Sequence, residues 1–70
     1  MTKPTKIVNE LRLHRQQAGL TQEELAKKLN VSRQTLIAIE NGKYSPSLEF
    51  AFELAAELNV EIQQLFQYPG

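Results

Sequence analysis

The chain has 70 residues, no cysteine and a single histidine, His14, which excludes disulfides, thiolate metal sites and a histidine-built zinc site. Eight basic and eight acidic residues cancel, yet they are unevenly placed. Residues 1–43 hold all eight bases against four acids (+4), and residues 44–70 hold no base against four acids (−4), an asymmetry that points to a face for a polyanion. No apolar run approaches the roughly 20 residues that span a bilayer, and Met1 to Thr5 lacks the hydrophobic stretch of a secretory signal. A cytoplasmic, nucleoid-associated protein with no membrane partner is expected, folded as one domain over residues 1–70 with flexible ends at 1–5 and 69–70.

Five short helical patterns follow one another, with no strand-period run of any length. The first begins near Ile7 and carries Val8, Leu11, His14, Arg15 and Ala18 at three- and four-residue spacing; Gly19 ends it in the left-handed conformation that glycine adopts without steric cost. Thr21 opens the second. Its hydroxyl can accept from the Glu24 amide while Glu24 reaches back to the Thr21 amide, a capping box flanked by the staple pair Leu20 and Leu25. Leu25, Ala26 and Leu29 form its buried stripe, and Asn30 stands where a left-handed stop is wanted.

Ser32 caps the third helix, with Val31 and Leu36 as a second staple. Leu36 and Ile39 point inward, and Asn41-Gly42 stops the helix. After the turn Lys43 to Pro46, Ser47 caps a fourth helix whose apolar face is Leu48, Ala51, Leu54, Ala55 and Leu58. Asn59 ends it. Val60 leads into a last short helix with Ile62, Leu65 and Phe66 inward.

The informative unit runs from Thr21 to Asn41: a helix, the three-residue turn Asn30-Val31-Ser32, and a second helix. So tight a turn forces a steep crossing, with small Ala26 allowing close approach and Val31 plugging the angle. This is the helix-turn-helix arrangement, whose second helix offers its N-terminal half to the DNA major groove. With Leu36 and Ile39 in the core, Arg33, Gln34, Ile37, Ala38 and Asn41 face outward. Arginine can bond guanine O6 and N7 together, and glutamine adenine N6 and N7. Gln22 and Ser32 sit at helix N-termini, which favour phosphate, and Lys43 follows the third helix, placed for a backbone contact; Thr35 suits either task.

The strings Leu20-Thr21-Gln22-Glu23-Glu24-Leu25-Ala26, Val31-Ser32-Arg33-Gln34-Thr35-Leu36, Ile39-Glu40-Asn41-Gly42-Lys43 and Pro46-Ser47-Leu48 together resemble the Cro/phage-repressor (XRE-type) helix-turn-helix family over residues 11–66. Arg-Gln-Thr after the cap and a C-terminal Phe-Gln-aromatic are similar to the very small single-domain bacterial repressors of the cytolysin-regulator kind. The resemblance implies an all-α, compact five-helix repressor-like domain. It implies base reading by Arg33, Gln34 and Ala38, joined by Ile37 if that side chain meets a thymine methyl, and phosphate contacts by Gln22 and Lys43. Ser32, Thr35 and Asn41 complete the backbone set. Arg15, which the residues alone would allow as a DNA contact, matches with Glu40 a family ion pair tying the first helix to the end of the recognition helix.

His14 lacks the nucleophile and orienting group of a catalytic set. Glu49, Glu53, Glu57 and Glu61 recur every four residues as a solvated acidic face. The apolar surplus of Phe50, Phe52, Ile62, Phe66 and Tyr68 exceeds what 70 residues enclose, so a homodimer is expected through Val60, Ile62, Phe66 and Tyr68. Tyr68's segment would form a short two-stranded β ribbon with Lys6-Ile7-Val8. The partners are then double-stranded DNA, a second copy and, in a toxin–antitoxin setting that forms the alternative reading, another regulatory protein. No phosphate loop, triad or metal set supports an enzyme, and no cofactor or metal is expected.

Overall fold

A computed structural model describes residues 5–69. Its elements run β1 (Val8–Asn9), α1 (Leu11–Gln17), α2 (Gln22–Lys28), α3 (Arg33–Glu40), α4 (Leu48–Leu58), α5 (Ile62–Leu65) and β2 (Phe66–Gln67). The two strands pair antiparallel, Val8 with Gln67 and Asn9 with Phe66. The described residues are thus mostly helical, with five helices and a two-stranded ribbon pairing Val8–Asn9 with Phe66–Gln67. The flexible ends expected at 1–5 and 69–70 fall, for residues 1–4 and 70, outside the described residues.

Three expectations of detail are corrected. The first helix starts at Leu11, because Val8 and Asn9 are in the ribbon and the Glu10 amide bonds the Leu65 carbonyl at 2.8 Å. The ribbon sits at Val8–Asn9 and Phe66–Gln67, so Phe66 leaves the last helix for an extended conformation and Tyr68 lies past the pairing. Glu61 precedes α5, where its amide donates to Gln64 Oε1 at 2.8 Å, so only Glu49, Glu53 and Glu57 are on α4.

Helices of seven or eight residues are too short to persist by propensity alone, so their ends matter. Thr21 Oγ1 accepts from the Glu24 amide at 3.0 Å and Glu24 Oε1 from the Thr21 amide at 2.9 Å, completing the capping box. Ser32 and Ser47 accept from the Thr35 and Phe50 amides at 3.1 and 3.2 Å. At the other ends one termination is used four times. Gly19, Asn30, Gly42 and Asn59 all have φ between 58° and 74°. In each case the amide of that residue and the amide of the next bond back onto the helix: Asn30 to the Lys27 carbonyl and Val31 to Ala26, Asn59 to Ala56 and Val60 to Ala55. This is the Schellman arrangement, which satisfies carbonyls that the helix leaves open. The residues that follow Gly19, Asn30 and Asn59 are Leu20, Val31 and Val60, and all three pack against the core.

That core is one cluster built from Leu11, Leu25, Ala26, Leu36, Ile39, Leu54, Ala55, Leu58 and Leu65. Every helix contributes to it. Leu48 departs from the apolar face assigned to α4, being 71% exposed at the first position of the helix.

An added Cβ at Gly19 would meet no atom within 4 Å, so Gly19→Ala isolates the cost of the left-handed backbone. It should lower stability by roughly 1–2 kcal/mol, whereas Asn59→Gly should leave it unchanged or raise it; thermal melts read both.

Candidate nucleic-acid interface

The turn between α2 and α3 fixes how α3 meets solvent. Asn30 reverses the chain in the left-handed conformation, Val31 drops onto the core, and Ser32 is extended (φ −74°, ψ 150°) before α3 begins. Arg33 and Gln34 therefore occupy the first turn of α3, where both side chains are exposed. Ile37 and Ala38, one turn on, are half-buried, while Leu36 and Ile39 are buried. Ser32 and Thr35 hydroxyls bond each other at 2.8 Å. Thr35 is half-buried and turned toward α4, bordering a groove with Val31, Tyr44 and Phe50. Lys43 is exposed just past α3 and forms no ion pair with a described residue.

Beneath this surface lies a polar knot around Glu40. Its side chain has no solvent exposure, and Arg15 is nearly as inaccessible. Arg15 Nε donates to Glu40 Oε2 at 2.7 Å, Nη2 to Oε1 at 3.4 Å, and Nη1 to the Leu20 carbonyl at 2.9 Å. Gln22 Nε2 donates to Glu40 Oε1 at 3.2 Å, and Arg12 Nε approaches the same oxygen at 3.5 Å. Arg12 Nη2 also donates to Asn41 Oδ1 at 3.0 Å. On the other side of α3, Asn9 Nδ2 donates to the Ile39 carbonyl at 3.0 Å while its Oδ1 accepts from the Leu11 amide at 3.2 Å. The C-terminal end of α3 is thus tied to β1, α1 and α2. Among the described residues no buried side-chain nitrogen or oxygen lacks a partner.

Burial by itself would raise the Glu40 carboxyl. Hydrogen bonds from Arg15 and Gln22, the Arg15 charge and the Arg12 contact outweigh it, holding the group below its ordinary value of 4.5. The Glu24 carboxyl is also lowered, first by its bond to the Thr21 backbone.

Gln22, expected on the DNA backbone, has one carboxamide N–H committed to Glu40; its second N–H and its backbone amide at the start of α2 remain. Ile62 and Phe66 meet in a groove of about 280 Å³ with Ile7, Pro46, Leu48 and Ala51. Val60 borders a different depression, beside Asn59 and Glu61, and Tyr68 lines neither. Leu48, Phe52 and Tyr68 are 71, 53 and 65% exposed. Sequence reasoning missed Arg12, Asn9 and Leu48. Arg12 was open to discovery, since it stands three residues from Arg15 and so on the same helix face.

The helix-turn-helix family model matches residues 11–65. The chain belongs to the helix-turn-helix family, of the Cro/phage-repressor type. It is 57% identical over 60 residues, 86% of this chain and 91% of the other, to an uncharacterized HTH-type transcriptional regulator of Methanocaldococcus jannaschii. It is 37% identical over 59 residues to the antitoxin HipB of Escherichia coli O6:H1, which spans 84% of this chain and 63% of that protein. The crystal structure of the hypothetical transcription factor NHTF from Neisseria superposes with a TM-score of 0.74 at 34% identity, covering 84% of this chain and 68% of that one. This helix-turn-helix protein is a transcriptional regulator with a DNA-binding domain, and not an enzyme. No helix among the described residues is long and apolar enough to cross a membrane.

Arg15→Ala should lower stability by about 3–5 kcal/mol, because it strands a buried carboxylate. The Glu40 contribution has a defined pH window. A carboxyl held lower in the folded than in the unfolded chain stabilises the fold fully above the unfolded value, and the effect is lost as pH falls through the folded one. Urea midpoints should therefore decline below about pH 4.5. Glu40→Gln should start lower at pH 7 and lose less on acidification.

Proposed function

We propose that the protein is a cytoplasmic repressor, one DNA-binding domain per chain, that binds a palindromic operator as a homodimer through the major groove. The observation that carries this reading is the first turn of α3: Arg33 and Gln34 are exposed side by side, just after a tight turn. An arginine and a glutamine placed there match the acceptor pair of guanine and the donor–acceptor pair of adenine. Ile37 and Ala38 follow on the same helix and would meet base edges by apolar contact. Ser32, Gln22, Thr35, Asn41 and Lys43 flank them and would set register on phosphates without reading sequence.

Arg33→Ala and Gln34→Ala should each weaken operator binding by about 1–3 kcal/mol. Binding to random-sequence duplex should change much less. Fluorescence anisotropy on both duplexes decides it, with the operator first recovered by selection from random DNA. Retention of full discrimination by both variants would show that another element reads the bases.

One helix-turn-helix reads few base pairs, so two copies about one helical turn apart, roughly 34–36 Å, supply useful specificity. The groove of Ile62 and Phe66, extended by exposed Leu48, supports a two-fold contact to which Val60 and Tyr68 would add from its margins. Ile62 also packs on the core, so Leu48→Asp is the cleaner test: it should shift sedimentation toward the monomer and weaken binding to the palindrome more than to a half-site. A wild-type chain that sediments as a monomer at micromolar concentration would refute the dimer. The likeness to HipB favours a second reading, in which the regulator also holds a partner protein through its C-terminal face; a stoichiometric partner co-purifying from the source cells, and lost with Phe52→Asp, would establish it.

A further inference from the structure

We propose that Arg12 is a positioning residue for DNA binding: it fixes the Asn41 carboxamide so that both of its N–H donors face outward toward a phosphate. The inference rests on the placement of Asn41 against the DNA backbone proposed above, and it assigns a role to a residue that reading leaves unused.

Arg12 is the second residue of α1, and Asn41 directly follows α3. The guanidinium reaches between them, with Nη2 on Asn41 Oδ1 at 3.0 Å and Nε 3.5 Å from Glu40 Oε1. A guanidinium can only donate, so the atom of Asn41 that faces it is the carbonyl oxygen. The amide nitrogen is then turned away, where no described residue takes its protons. A phosphate can only accept. An Asn41 free to flip would present oxygen part of the time, and an oxygen there repels a phosphate; the Arg12 bond removes that orientation. Gln22 provides the contrast. An ionised Glu40 can only accept, so it draws the Gln22 nitrogen inward and takes one of its two N–H donors. Of the two carboxamides beside Glu40, Asn41 alone presents both donors.

Arg12 is itself anchored. Glu40 is hydrogen-bonded by Arg15 and Gln22, so the Nε contact gives the guanidinium an anchored base from which to orient Asn41. A cation at this end of α3 also opposes the negative end of the helix dipole. The side chain remains 57% exposed. A direct phosphate contact by Arg12 is therefore the competing account, and the two differ in measurable ways.

The test is a double-mutant cycle in DNA affinity, with Arg12→Ala, Asn41→Ala and the double variant, on the operator duplex and on random-sequence duplex. Urea melts of each variant confirm that the fold persists. Loss of an oriented hydrogen bond to a charged group should cost about tenfold in affinity for Asn41→Ala, on both duplexes. Arg12→Ala should reproduce most of that loss when Asn41 is present and almost none when Asn41 is already alanine. The slope of log affinity against log salt should stay nearly the same in Arg12→Ala. Additive losses, with a slope reduced by about 0.9, would make Arg12 a phosphate contact of its own and overturn the proposal. An Asn41→Ala protein of unchanged affinity would overturn it as well. Failure of base reading by Arg33 and Gln34 would show instead as lost discrimination between the two duplexes, which the Arg12–Asn41 cycle on random DNA does not depend on.

Discussion

The Glu40 carboxylate is the constraint on which the arrangement of this molecule turns. It stands at the last residue of α3, where the helix dipole opposes a negative charge, and it has no solvent exposure. Both facts are unfavourable unless donors surround it. Arg15 and Arg12 come from α1, Gln22 from the start of α2, and Arg15 in turn holds the Leu20 carbonyl in the loop between those helices. A buried ion pair is seldom a large net gain over apolar packing of the same volume. What it imposes is geometry, since a displaced or rotated α3 would leave a buried charge unmatched. The helix that carries Arg33 and Gln34 is in this way locked at one end while its first turn stays free to meet a ligand.

The four matched helix endings serve the same purpose from the backbone side. A seven-residue helix has most of its amides and carbonyls at an end, so its stability is decided by caps more than by its interior. The capping box at Thr21, the serine caps at Ser32 and Ser47 and the left-handed stops at Gly19, Asn30, Gly42 and Asn59 use side chains and backbone already present in each turn. The residue after three of those stops is driven into the core. The turn between α2 and α3 can thus be short without leaving buried polar groups open, and its shortness sets the first turn of α3 apart from the rest of the surface.

Such devices are local, and for that reason the sequence discloses them. Caps, staples and left-handed stops depend on residues within five positions of one another, so the boundaries of α2, α3 and α4 and the outward place of Arg33 and Gln34 can be read without coordinates. What escapes is set by distant partners. Asn9 bonds the Ile39 carbonyl thirty positions away, and nothing near Asn9 announces it. Helical spacing places Leu48 on the apolar face of α4 but cannot say that the described residues leave it exposed. Val8 fits the period of α1 equally well as a helical residue. It is the Glu10–Leu65 bond and the pairing with Gln67 that draw it into a strand. Arg12 had the spacing to be noticed, yet one ion pair already explained that helix face.

The charge balance makes better sense once these partners are known. A helix-turn-helix protein with no net charge would have little electrostatic attraction for DNA if its cations were spread evenly or all matched. Here Arg15 is spent on Glu40 inside the fold, Arg12 is shared between Glu40 and Asn41, and Lys28 lies 3.8 Å from Glu57. The exposed cations without an ion pair to a described residue are Lys6, Lys27, Arg33 and Lys43, the last three belonging to α2, to α3 and to the turn after it. Few unmatched cations would release few counterions on binding, hence a weak attraction to arbitrary DNA. In the proposed binding mode, affinity would then come from oriented neutral donors and base contacts. Those would work only when helix, turn and carboxamides keep fixed positions, toward which the buried carboxylate and the four stops contribute. A small net-neutral regulator that bound in this way would favour its own site over bulk DNA by rigidity, where a strongly basic one would depend on charge.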